Sequence, residues 1–201
     1  YNVTFKIKGK DVTENSTTPI YAVVVFDKSG SMNCIEYSYD WKGDRYCSNH
    51  GNKWNNAVKG AKDFASSLNE SLNSDETKYA NIALVQFSGS KGNRDTAWND
   101  ARVVREFATA DFSDINFGSA DGGTNLGEGL NKALGLFTDK SNPIPENAKK
   151  YVVVIGDGKP TYYSDAYGKT QGTGNSDPNG LSEEYASKKA TALKNAGVEI
   201  F

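Results

Sequence analysis

The chain is poor in several residue types on which protein chemistry leans. Its 201 residues include one histidine, His50, two cysteines and one methionine. A single imidazole leaves a histidine-assisted hydrolase almost no choice of base, and two thiols cannot build a cysteine-rich zinc framework. Charge of one sign is missing too: 23 basic residues face 25 acidic ones, for a formal net charge of -2. That balance removes the bulk electrostatic reason to expect nucleic acid or an anionic membrane as partner. No apolar run exceeds the length of a strand, so neither a transmembrane helix nor direct membrane insertion is expected. The first residues lack the basic flank, apolar stretch and cleavage site of a signal peptide. The last four, Val198–Phe201, read as a strand just begun. The chain is therefore expected to be a piece of a larger protein, truncated in its last strand.

What is present suffices for one domain with a real core and no staples. Tyr21–Phe26 is apolar at every position, which suits a central parallel strand covered on both faces. Ile82–Phe87, apolar except at Gln86, and Tyr151–Ile155 read as two further core strands, and Val103, Val104 and Phe107 predict a shorter edge strand. Helical spacing of apolar residues runs over Trp54–Ser71, Leu126–Phe137 and Ser182–Asn195. Strands alternating with helices predict an α/β fold, a doubly wound and mostly parallel sheet flanked by helices. Residues 1–18 read as an initial strand, Tyr1–Lys8, and a polar linker, and residues 19–201 as the domain itself. Long loops at about 32–53 and about 162–180 interrupt it, and loops of that length are usually functional or disordered.

Doubly wound sheets bind ligands at the carboxyl ends of their strands. The first apolar strand ends in Asp27-Lys28-Ser29-Gly30-Ser31, a carboxylate and two hydroxyls at alternating positions. These are oxygen donors of the kind a hard cation takes. Two further donors follow: Thr124, within Gly122-Gly123-Thr124-Asn125-Leu126 at the start of a helix, and Asp157, at the end of the third strand. Each has a plainer reading. Asp27 and the serines are good turn residues, and Thr124 is a good helix N-cap that can serve as cap and ligand together. Asp121 and Glu128, which flank the threonine, read as solvated surface charges.

Cys34 and Cys47 share the first long loop with Tyr37, Tyr39, Trp41, Tyr46 and His50. A local disulfide is the plain reading, and it implies an oxidising, extracellular setting. The alternatives are two free thiols, or a zinc site with His50 whose spacing matches no common module and whose fourth ligand is not evident. Tyr37, Tyr39, Trp41 and Tyr46, with Tyr162 and Tyr163 after Asp157, are the candidate apolar rim of a binding site.

In order and context, Asp27, Ser29, Ser31, Thr124 and Asp157 resemble the metal-ion-dependent adhesion site of von Willebrand factor A (VWA) domains. The resemblance implies a Rossmann-like VWA fold and a bound Mg2+, with Mn2+ or Ca2+ as alternatives. It implies direct ligation by the two serines and, in one state, the threonine, with the aspartates acting largely through water. Neutral hydroxyls leave the cation most of its charge, and with it the capacity to take a carboxylate from another molecule. Lys-, Asn- and Tyr-rich composition and insertions around the site narrow the likeness to tip adhesins of Gram-positive pili. The implied function is non-enzymatic: an extracellular module on the bacterial cell wall or pilus that binds an acidic residue of a host extracellular-matrix or cell-surface protein. One alternative is an assembly domain contacting sister pilus subunits. Another is a magnesium-dependent phosphohydrolase with Asp27 as nucleophile, whose second aspartate would be expected where Ser29 stands.

Overall fold

Alternation along β1, Ile20–Asp27, explains why its stretch Tyr21–Phe26 is apolar on every residue. Val23 and Val25 point into one buried cluster, Val24 and Phe26 into another, and all four are fully buried. Only a strand sandwiched between two helical layers meets that demand. The computed structural model describes residues 18–43, 45–73, 80–90, 100–109 and 111–201. The expected strand Tyr1–Lys8 and all but the end of the linker lie outside these residues.

After β1 comes a 3-10 turn, Gly30–Met32, then a hairpin of β2, Cys34–Tyr39, and β3, Arg45–His50. Helix α1 spans Lys53–Asn73, and strands β4, Ala80–Phe87, and β5, Ala101–Ala108, follow. Helix α2, Leu126–Thr138, leads to β6, Lys149–Ile155. A second hairpin, β7, Tyr162–Ser164, and β8, Thr170–Gly172, precedes α3, Leu181–Asn195, and β9, Val198–Ile200. The main sheet has the order β5-β4-β1-β6-β9. It is parallel except for β5, which runs antiparallel to β4. In the centre Val24 pairs with Leu84 on one side and Val153 on the other.

One face of the sheet is covered by α2 and α3, through Leu130, Ala133, Phe137 and Leu193. The other is covered by α1, through Trp54, Ala61 and Ala65, together with Phe112 and Phe117 from the segment after β5. The α/β, mostly parallel architecture is as expected. The edge strand is longer than Val103, Val104 and Phe107 suggested, because Arg102, Arg105 and Glu106 interrupt its apolar pattern where it meets solvent and neighbouring polar groups. Arg102 donates to the Gln86 side chain at 3.0 Å, and Arg105 pairs with Asp114. Both long loops contain hairpins, which lets their backbones pair internally.

Candidate metal centre

The site lies at the carboxyl ends of β1 and β6, adjacent strands in the middle of the sheet. At the end of β1 the Lys28 amide still donates to Phe87 O at 2.7 Å, and then the chain turns away. In that turn the Ser29 amide donates to Asp27 Oδ1 at 2.7 Å. Ser29 Oγ and Ser31 Oγ lie 3.0 Å apart, and Ser31 Oγ donates to Asp157 Oδ1 at 2.8 Å. Asp27 and Ser29 are each 1% exposed, so the motif starts inside the domain and climbs towards its surface.

Thr124 is brought in by backbone hydrogen bonds to three neighbouring segments. Asp121 N donates to Lys28 O at 2.8 Å and Gly30 N to Gly122 O at 2.9 Å, joining this loop to the serine turn. Gly123 N donates to Gly89 O at 2.7 Å, and Asn125 N to Ser88 O at 2.8 Å, which joins it to the end of β4. Thr161 N donates to Thr124 O at 2.8 Å, and Thr124 N to Thr161 Oγ1 at 3.0 Å, which joins it to the segment after Asp157. This closeness needs a glycine at 122: its φ is +80°, and a Cβ there would lie 2.6 Å from Gly89 O. Gly156 is similarly placed, since a Cβ there would sit 3.1 Å from the Asp27 carboxylate.

Burial pushes the Asp27 carboxyl up to about 6, against the lowering effect of its bonds to Ser29, and the nearby Asp157 adds to the rise. Asp157 is itself held on both oxygens, Oδ1 by Ser31 and Oδ2 by the ammonium of Lys53, the first residue of α1. The donor chemistry fits a hard divalent cation: three hydroxyls and two carboxylates, all oxygen. Among the described residues no cluster of three or more His, Cys, Asp or Glu offers a different kind of metal site.

Above the site opens a cavity of about 510 Å³, whose walls include Ser31, Thr124, Gly158 and Tyr37. Tyr37 comes from the first hairpin, and its hydroxyl would lie 3.6 Å from a Cβ placed on Gly30. Cys34 and Cys47 form a disulfide across that hairpin, and no cysteine is free. Tyr39, Trp41 and Tyr46 lie on the same hairpin and are exposed, Trp41 at 89%. Tyr162 is placed differently from a rim residue. It is buried, and its ring fills the space that Cβ atoms on Gly89, Gly123, Gly172 and Gly174 would need. Tyr163 is half-buried, and the far wall of the cavity is formed by residues 174–178.

Two expectations from the sequence need correction. The cap of α2 is Asn125, whose Oδ1 accepts from the Glu128 amide at 3.2 Å, so Thr124 is not the capping residue. Glu128 is not a solvated surface charge but is 5% exposed, with its carboxylate accepting from Asn131, Ser164 and Tyr185. Asp100 is buried nearby and accepts from Asn125 and Thr170; burial raises its carboxyl above the usual range. These residues tie the second hairpin to the start of α2, and the one signal that pointed there was the polarity of Asn125 and Glu128 beside the threonine.

The profile of the von Willebrand factor type A domain matches residues 23–201. The chain belongs to this family. Among solved structures, the VWA domain here is similar to the open conformation of SpaC, a pilus adhesin of Lactobacillus rhamnosus GG, at 22% identity and a TM-score of 0.58. That likeness covers 91% of this chain and 23% of SpaC. It is similar to the minor pilin PilB of Streptococcus sanguinis at 18% identity and a TM-score of 0.57, over 95% of this chain and 50% of PilB. Proximal thread matrix protein 1 of the mussel byssus matches at 17% identity and a TM-score of 0.53, over 92% of this chain and 38% of that one. At such identities the likeness is one of fold, and this VWA domain spans half or less of each of these proteins. No curated protein matches it.

Proposed function

We propose that this VWA domain is a cell-surface adhesion module that captures an acidic side chain of a partner protein through a divalent cation. Mg2+ is the proposed ion, with Mn2+ or Ca2+ able to replace it. Ser29, Ser31 and Thr124 would hold it, with Asp27 and Asp157 supplying negative charge. When bound, the cation supplies an electrophilic centre for a carboxylate oxygen. The observation that carries the reading is the joining of Ser29, Ser31 and Asp157 by hydrogen bonds at the foot of a cavity open to solvent. The chain's own part is to keep those oxygens together, and to present Tyr37 beside them and further aromatics along the hairpin. A rigid aromatic hairpin adds apolar contact at little entropic cost, and so selectivity.

The proposed partner is a host extracellular-matrix or cell-surface protein, and the proposed setting is the outside of a bacterial cell, on its wall or a pilus. The disulfide supports an oxidising compartment. The likeness to PilB, a minor pilin, favours a second reading in which the same face contacts sister pilus subunits. Both are binding functions. A phosphohydrolase is disfavoured because Ser29 occupies the place of its second aspartate.

The test is binding to collagens, fibronectin, fibrinogen and laminin in Mg2+ and again in EDTA, with purified pilus subunits in parallel. Binding to a host protein that EDTA removes is the expected result. EDTA-sensitive binding to pilus subunits alone would favour assembly, and binding indifferent to EDTA would overturn the metal-bridged mechanism.

A further inference from the structure

Lys53 stands out because the site's sequence motif does not contain it. It opens α1, separated from Asp157 by 104 positions, and its ammonium pairs with Asp157 Oδ2. The Asp157 side chain is 15% exposed and that of Lys53 45% exposed. The carboxylate is thus mostly covered, while the lysine approaches it from the solvent side. Among the described residues no other lysine or arginine forms an ion pair with Asp27 or Asp157. Ser29 and Ser31 link the Asp27 and Asp157 carboxylates through a short run of hydrogen bonds, so the two like charges repel, and Asp27, 1% exposed, leaves water little room to screen them. A protein with such a site must balance that charge whenever its cation is absent.

We infer that Lys53 is a resident counter-ion of the metal centre, a tethered monovalent cation that a divalent ion must displace or share Asp157 with, so that occupancy follows the surrounding cation concentration. The inference rests on the metal-centre reading proposed above. Lysine suits the role, being a compact point charge on a flexible stem that can swing into solvent and return; the planar guanidinium of arginine would hold a carboxylate in a fixed two-toothed grip. With Ser31 on Oδ1 and Lys53 on Oδ2, both oxygens of Asp157 are already engaged by the chain itself. An incoming divalent ion therefore meets a partly neutralised site, binds less tightly than five oxygen donors alone would allow, and exchanges more readily. Lys53 is a positioning residue here. It acts on the ion through Asp157 and through charge.

The experiment is titration of the full chain with MgCl2 and MnCl2 by calorimetry, in the wild type, Lys53→Met and Lys53→Arg. Lys53→Met keeps the stem and removes the charge, and Lys53→Gln repeats the neutralisation with a polar side chain. Both neutral variants are expected to bind the metal about tenfold more tightly, the order expected when a unit charge beside a divalent ion is removed at a partly exposed position. Lys53→Arg, which keeps the charge and grips a carboxylate more firmly, should bind the metal no more tightly than the wild type. A second readout separates this from a merely structural role. In EDTA the neutral variants should have a lower Tm than the wild type, and saturating cation should close the gap. Equal or weaker metal affinity in the neutral variants overturns the inference while leaving the metal centre standing. Absence of metal binding in all the proteins overturns the metal-centre reading and this inference with it.

Discussion

Replacing Asp27 by asparagine should make the cation-free protein more stable while removing its capacity for metal. The Asp27 carboxyl is pushed from 3.8 to about 6, chiefly by burial. Between those values the folded protein keeps a proton that the unfolded chain has released, so stability falls as pH rises. The contribution is fully present below 3.8 and is lost as pH climbs through about 6. At pH 7 a buried, ionised Asp27 therefore costs the fold up to about 3 kcal/mol, by the free-energy equivalent of the displacement. Asparagine removes that cost and keeps an oxygen to accept from the Ser29 amide, the bond that shapes the turn. The assay is urea unfolding in EDTA at pH 7 and at pH 3.8, followed by tryptophan emission, to which Trp54 contributes from a buried position packed on Phe26 with ring centroids 5.4 Å apart. Asp27→Asn should exceed the wild type at pH 7 and match it at acid pH. In saturating Mg2+ the order at pH 7 should narrow or reverse, because the wild type alone gains stability from the ion. A variant no more stable than the wild type in EDTA at pH 7, or equally stabilised at both pH values, would refute the assignment of burial as the dominant cause.

Gly122→Ala places a Cβ 2.6 Å from Gly89 O at a φ of +80°. It should cost at least 1–2 kcal/mol, about the left-handed penalty alone, and should abolish metal binding in calorimetry because the Thr124 loop must move. Joint replacement of Cys34 and Cys47 by serine removes a crosslink spanning 13 positions, worth about 3 kcal/mol at most on chain entropy. Its effect should concentrate in the β2–β3 hairpin, seen as faster amide exchange there with the central sheet still protected. Trp41→Ala should weaken capture of the partner protein without changing metal affinity. At 89% exposure Trp41 contributes little to the fold, so stability should stay within about 0.5 kcal/mol of the wild type.

Some of this molecule can be read locally and some cannot. The three central strands announce themselves because a strand buried on both faces is apolar at nearly every position, as Tyr21–Phe26 is throughout and Ile82–Phe87 is but for Gln86. The oxygen donors at their ends are equally visible, since Asp27, Ser29 and Ser31 share one turn. Only part of edge strand β5 is legible locally, because Arg102 and Arg105 face polar partners 16 and 9 positions away, Gln86 and Asp114. The burial of Glu128 is not legible locally, because a carboxylate carries no local sign that it will be buried. Its partners Ser164 and Tyr185 arrive from 36 and 57 positions away. Thr124 and Asn125 are both competent caps, and what separates them is where the loop is pinned by Gly89, Ser88 and Thr161.

Periodicity is enough for the fold class, because it is a pattern within single segments, and three short motifs in order, ending in Ser31, Thr124 and Asp157, carry the resemblance to the family. Convergence required the sheet. Parallel pairing of β6 beside β1 sets Asp157 against Ser31, and the start of α1 delivers Lys53 to Asp157. Packing also turned Tyr162 inward, where four glycines leave room for its ring, and left Tyr37 at the cavity wall. The physical reason is range: the two-residue alternation of a strand is written into neighbouring positions. The charge and shape around a binding site are summed over segments that only tertiary contact brings within reach.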